Sequence, residues 1–303
     1  MYARARWIRF ASGVPVLFVV FIFLYEWYCY NFIFIVHVLL PSDNAGWAPA
    51  CALLFNVVWG LALWSFLRTT CTDPGRVPED WQDRHRNAAE SYASGRRWHP
   101  GEVSWCMKCK GSRPERAHHC SICGYCIMRM DHHCPWVGNC VGFGNHKYFV
   151  LLSFYGFLAC VVFVMSAFPS IKALLTTGNM LGALRHGHAM EGIMFSISCI
   201  FAAAFGLSLT GLCATHVFLL LVNRTMLEVA YSGKNPYFLT FLENAEQLLG
   251  PCNFIWFLPI APVRDACDGT YYPSERFIPK AVKMDDLESA PLGRNADHVE
   301  EDG

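Results

Sequence analysis

Four long apolar blocks constrain this chain more than any other feature. Residues 48–67, 148–171 and 192–222 contain no Asp, Glu, Lys or Arg, and residues 14–40 contain only Glu26. A helix rises about 1.5 Å per residue, so each block can cross a hydrocarbon core of about 30 Å. The pattern predicts an all-α polytopic membrane protein with four transmembrane helices. Composition agrees, with 54% hydrophobic and only 16% charged residues. The first block is too long for a cleaved signal peptide and lacks a small-residue cleavage site, so it is read as a retained span.

Lys and Arg set the orientation. Arg4, Arg6 and Arg9 precede the first span, twelve cations lie between Arg68 and Lys147, none separates spans one and two, and Lys172 and Arg185 separate spans three and four. The positive-inside rule places both termini and the stretch between spans two and three in the cytosol. That compartment is reducing, so clustered cysteines there read as metal ligands rather than disulfides.

This stretch carries seven of the fifteen cysteines between Cys106 and Cys140. The pattern Cys-x2-Cys-x9-His-x6-Cys fits Cys106, Cys109, His119 and Cys126, and fits again fourteen residues on at Cys120, Cys123, His133 and Cys140. Three thiolates and one imidazole suit a closed tetrahedral zinc site. Two structural zinc ions are therefore expected, bracing a segment too short for a core of its own. Ligands recur too often here for long elements, so loops and small hairpins are expected.

One cysteine is left over. A third turn of the repeat would open at Cys134, but its knuckle partner is Val137. With His133 assigned to zinc, His132 is free beside this thiol and Asp131 precedes it. These are the parts of an activated nucleophile: thiol, base and orienter. The rival reading of Cys134 as a small buried hydrophobe leaves that arrangement without a purpose.

At these residues the chain closely resembles the DHHC-type protein S-acyltransferases (palmitoyltransferases). The match runs from Cys106 to Phe149 and includes Arg113-Pro114, His118-His119-Cys120, Asp131 to Trp136, Asn139-Cys140 and Asn145. Three further motifs extend the likeness: Asp73-Pro74-Gly75 after span two, Thr225-Met226-Leu227-Glu228 after span four, and Asn244 within Phe238–Leu249, whose apolar residues recur at helical spacing. Met226 stands where the family has threonine, which puts that hydroxyl's contacts in doubt. Thr225 and Glu228, at i and i+3, are expected to face the zinc domain from a helix end.

The resemblance implies acyl transfer from a fatty acyl-CoA to cysteines of client proteins near the membrane, through an acyl-enzyme on Cys134. His132 would be the general base and Asp131 its orienter. A zinc with three thiolates and a neutral histidine carries a formal charge of −1, which works against a nearby thiolate. Activation would then come from His132, helped by Arg129 and Lys147. The phosphates of CoA need cytosolic cations, for which Arg113, Arg116 and His118 are the clustered candidates. The acyl chain would enter the bundle beneath Cys134, past Trp136. Ala159, twelve residues beyond Lys147, and Glu26 both fall about 18 Å along their helices, near the expected end of such a tunnel. Ala159 as a helix–helix contact and Glu26 as half of a polar pair are the competing readings.

The chain divides into a cytosolic N-terminus (1–13), helices one and two (14–67), a cytosolic cysteine-rich zinc domain (68–147), helices three and four (148–222), a cytosolic C-terminal region with an amphipathic helix (223–283) and an acidic disordered tail (284–303). Within the zinc domain, 76–104 reads as a linker with one short helix. An endomembrane, Golgi or ER before plasma membrane, is the expected home. Two other classes are weighed. A membrane-anchored zinc module acting as ubiquitin ligase or scaffold would have no use for Cys134, and a transporter built around Glu26 would not either. A nucleic-acid role is not expected, because the zinc segment sits between spans and offers no basic recognition helix.

Overall fold

In the computed structural model the described residues are 2–86, 98, 100–177, 189–264 and 267–274. The tail expected at 284–303 lies outside them. Helices α1 (Tyr2–Tyr28), α2 (Ala48–Cys71), α4 (His146–Thr177) and α5 (Ala189–Leu221) carry four stretches long and apolar enough to span a membrane. Helices satisfy their own backbone polar groups, as hydrocarbon requires. The first span continues past Tyr28 as a π-helical segment, Cys29–Leu39. Its wider winding presents Tyr30 and Phe34 to Phe55, Phe163 and Phe195, an aromatic stack that ties the four spans together. Leu17, Leu53, Met165 and Leu207 stay exposed on the outer face, where a bilayer would cover them.

Between α2 and α4 lie a one-and-a-half-turn helix α3 (Glu79–Arg84) and six three-residue strands: β1 (Ser104–Cys106), β2 (Gly111–Arg113), β3 (His118–Cys120), β4 (Tyr125–Ile127), β5 (His132–Cys134) and β6 (Asn139–Val141). The strands pair as three consecutive antiparallel hairpins, β1–β2, β3–β4 and β5–β6. Such short hairpins are marginal alone and here rest on the helix ends. Asn139 Nδ2 donates to the carbonyls of Thr69, Thr70 and Thr72 at 3.2, 3.2 and 2.9 Å, satisfying orphan acceptors at the α2 C-terminus. Asn145 Nδ2 bridges Thr69 O and Cys140 O at 3.1 and 2.8 Å, while its Oδ1 accepts from Gly142 N. The Asp73 carboxylate caps its own turn by accepting from Gly75 N and Arg76 N. A Cβ on Gly144 would lie 2.2 Å from Asp73 O, so only glycine lets this turn close against the hairpins.

The C-terminal region closes over the same side. Helix α6 (Phe241–Leu249) starts with a capping box between Thr240 and Glu243. Its buried face sets Ala245, Leu248 and Leu249 against Leu220 of α5. The family asparagine, Asn244, is fully buried and donates to Leu221 O at 2.7 Å, the last turn of α5.

Candidate active site

The register of the hairpins explains how four scattered residues form each metal-ligand set. His119 lies opposite Cys126 across β3–β4, and His133 lies opposite Cys140 across β5–β6. Directly opposed residues project to one face, with Cβ atoms about 5 Å apart. Each set takes its other two ligands from the knuckle of the preceding hairpin: Cys106 and Cys109 join His119 and Cys126, and Cys120 and Cys123 join His133 and Cys140. In the first set His119 Nδ1 is 3.7 and 3.1 Å from Cys106 and Cys109 sulfur, and the Cys109 and Cys126 sulfurs are 3.7 Å apart. The second gives 3.7, 3.4 and 3.4 Å from His133 Nδ1 to Cys120, Cys123 and Cys140, and 3.5 Å between the Cys123 and Cys140 sulfurs. A tetrahedron with bonds of about 2.0–2.3 Å has edges of roughly 3.3–3.8 Å; all the separations but the 3.1 Å between Cys109 and His119 fall in that range, and each set could hold one metal ion.

The third hairpin repeats the knuckle without the ligands. Lys110, Gly124 and Gly138 occupy equivalent left-handed positions, with φ of 53°, 84° and 60°. In the first two hairpins the knuckle N–H reaches back to the first cysteine's sulfur, Cys109 N to Cys106 at 3.4 Å and Cys123 N to Cys120 at 3.3 Å. In the third, the backbone N–H groups of Val137 and Trp136 lie near Cys134 and favour its thiolate. Successive side chains of a strand alternate faces. His133 therefore turns to its metal set while His132 and Cys134 share the opposite face of β5.

His132 Nδ1 donates to Asp131 Oδ2 at 2.7 Å, and the ring lies close enough to Cys134 to interact with its thiol. Asp131 is fully buried, and its other oxygen accepts from Met226 N at 2.9 Å. Burial disfavours its charge, but the bond from His132, the nearby His146 and His216 and the Met226 N–H outweigh it and hold the carboxyl well below the usual range. For His132 burial works downward, yet the bonds to Asp131 and Cys134 push the imidazole up to about 9. Burial would raise the Cys134 thiol, but His132 and the two knuckle N–H groups lower it overall.

Several expected cations are placed otherwise. Arg116 is buried: its guanidinium clasps Glu228 and donates to Asn223 Oδ1 and Asn223 O, so it braces the fold instead of meeting phosphate. His118 is pushed down to about 4 by burial and then by the Arg113 charge, which makes it neutral at pH 7. Arg113 is half-buried, with its Nε on Ser104 Oγ at 2.9 Å. Arg129 and Lys147 are engaged away from Cys134. The first is buried against His146 and Asn223, and the second donates to Ile255 O and Ile260 O. Thr225 N donates to Glu228 Oε2, so the helix-end motif locks onto Arg116 and presents the Met226 N–H to Asp131.

Two partners of this site escaped sequence reading. Asn223, at φ 50° just beyond α5, receives Arg116 and Arg129 and donates to Tyr237 O and Gln247 Oε1. His216 is buried in α5 with its Nδ1 3.4 Å from His146 Nε2 and lies within 4.8 Å of Asp131 and His132. A histidine inside an apolar block was the available signal.

Cys134 opens onto a cavity of about 690 Å³ within the helix bundle, bordered by Trp136, Phe149, Ala159, Glu26 and Phe163 among others. Its walls are almost wholly apolar. Trp136 packs against Phe18 of α1, also on the cavity wall, with ring centroids 6.2 Å apart.

A model of the DHHC palmitoyltransferase family matches residues 99–232. Human palmitoyltransferase ZDHHC2 is 30% identical over 293 residues, covering 88% of this chain and 77% of that protein. ZDHHC15 of Xenopus laevis is 30% identical over 88% of this chain and 82% of its own length. Probable protein S-acyltransferase 12 of Arabidopsis thaliana is 32% identical over 74% of this chain and 78% of its own length. The chain thus belongs to the DHHC palmitoyltransferase family, and it is a multi-pass membrane enzyme with protein S-acyltransferase activity.

Proposed function

We propose that Cys134 carries the acyl group between acyl-CoA and a client cysteine. The Cys134 thiolate attacks the thioester carbonyl, a new carbon–sulfur bond forms, and the bond to CoA sulfur breaks. His132 holds the Cys134 proton and gives it to the departing CoA thiolate. A client thiol then loses its proton to His132, attacks the acyl-enzyme and leaves with the acyl group, and the returned proton restores Cys134. One thioester replaces another in both exchanges, so no ATP is required. Asp131 keeps the imidazole oriented and stabilises its charge.

The observation that carries this reading is the position of Cys134. It interacts with His132 and borders the apolar cavity of the helix bundle. A fatty chain lying in that cavity would bring its thioester to the nucleophile and keep its methylenes out of water. The two Cys3His sets are closed by protein ligands and would hold structural zinc, leaving no open coordination position for chemistry. The domain faces the cytosol of an endomembrane on the charge distribution. Clients would offer cysteines close to the membrane surface, and Arg113 is the remaining candidate for CoA phosphate. The ubiquitin-ligase alternative would leave the Cys134–His132–Asp131 array unused.

The test is incubation of the purified protein with labelled palmitoyl-CoA. A hydroxylamine-sensitive label on the wild type that is absent from Cys134→Ser supports the reading; a label that persists in Cys134→Ser overturns it.

A further inference from the structure

We propose that Glu26 and Ser198 form a polar subsite in the bundle cavity that recognises a hydroxyl group on the distal part of a fatty acyl chain. The proposal rests on the assignment of this cavity to the acyl chain. Glu26 is the one acidic side chain among the residues that border it. Ser198 of α5 is fully buried and donates to Glu26 Oε2 at 2.5 Å, which fixes the carboxyl group. The other oxygen, Oε1, is buried and has no hydrogen-bond partner among the described residues. The hydroxyls that border the cavity do not supply one. Ser153 donates to Val150 O and Ser208 to Ala204 O, each within its own helix.

An ionisable side chain inside a membrane bundle is costly and marks a site that binds something polar. A carboxylate only accepts hydrogen bonds, whereas a neutral carboxyl both accepts and donates, and a hydroxyl complements either state because it can do both. A plain methylene chain that reached Oε1 would leave it unsatisfied, whereas a hydroxyl would satisfy it. Depth defines where the donor must sit. Phe18 packs against Trp136, two residues from Cys134, and Glu26, eight residues further along α1, lies about 12 Å away along the helix axis. An extended chain advances about 1.2 Å per bond, as an extended backbone of three bonds and about 3.5 Å per residue shows. The hydroxyl therefore belongs about ten bonds from the thioester, close to the end of a dodecanoyl chain.

The experiment compares autoacylation by dodecanoyl-CoA and by its ω-hydroxy counterpart in the full-length wild type, Glu26→Leu and Ser198→Ala. The wild-type rate ratio in favour of the hydroxylated chain should fall about tenfold in Glu26→Leu and by less in Ser198→Ala, which frees the carboxyl without removing it. Equal ratios in wild type and Glu26→Leu overturn the subsite. A second measurement uses the wild type alone: moving the hydroxyl along a palmitoyl chain should give a rate maximum at mid-to-distal positions, and a flat profile overturns the proposal even if Glu26→Leu fails to fold. Absence of label from every acyl-CoA in the wild type would instead overturn the acyl-transfer assignment on which it rests.

Discussion

The guanidinium of Arg116 reaches both carboxylate oxygens of Glu228, each at 2.8 Å, across 112 residues of chain and with both side chains almost wholly buried. This fork joins the loop before β3 to the segment after α5. Tyr237 and Tyr272 cover the guanidinium at 4.5 and 4.8 Å. Removing one partner leaves an uncompensated buried charge, so Arg116→Ala should cost about 3–5 kcal/mol. Arg116→Lys should recover little of it, because an ammonium cannot supply the planar fork. Thermal unfolding in detergent checks both; melting temperatures equal to the wild type would show that the pair holds nothing together.

Replacing Cys134 by Ser should abolish acyl-enzyme formation while leaving two zinc ions per chain. Cys134 belongs to neither Cys3His set. Metal analysis alongside the labelling assay decides the matter, and loss of an ion in the variant would mean that Cys134 is a ligand.

Adjacent histidines should fail differently. His132→Ala removes the base and should slow acylation by about 10²–10⁴-fold with full metal content. His133→Ala should release one zinc and destabilise the hairpins, since metal binding there is folding energy. Equal zinc loss in the two variants would contradict the alternation of β5.

Asp131 is held through the backbone N–H of Met226, and the Met226 side chain is 46% exposed. Met226→Thr, which restores the family residue, should therefore leave the acylation rate within about twofold. Met226→Pro deletes the N–H and should lower the rate by about tenfold or more. A large gain in Met226→Thr would show that the missing hydroxyl matters after all.

Ala159 borders the cavity, as do Glu26 and Phe163. Ala159→Phe should shift autoacylation towards shorter acyl-CoAs, because a ring has to occupy space that distal methylenes would use. The profile across acyl lengths measures this; an unchanged profile in an active variant places the end of the chain elsewhere.

The spans and the ligand sets were legible in the sequence because each leaves a linear record, charge-free length in one case and a fourteen-residue spacing in the other. The fate of the cations was not. Arg113 and Arg116 look alike three residues apart, and only the fold shows that Glu228, more than a hundred residues on, takes one of them out of solvent. Asn223 escaped notice for a related reason: its importance lies in a left-handed backbone and a side chain with four long-range partners, none of them encoded nearby. Glu26 was visible as a lone charge in an apolar block, but the tie to Ser198 joins the first span to the fourth and has no local signature.

On the proposed role of Cys134, the third hairpin is a metal-binding scaffold turned to catalysis by subtraction. With valine at position 137 in place of a second knuckle cysteine, the backbone amides that would flank a metal-bound sulfur remain near Cys134 and favour its thiolate. The nucleophile's reactivity would then be inherited from the scaffold, and Val137→Cys would set capture of a metal against capture of an acyl group at one and the same atom.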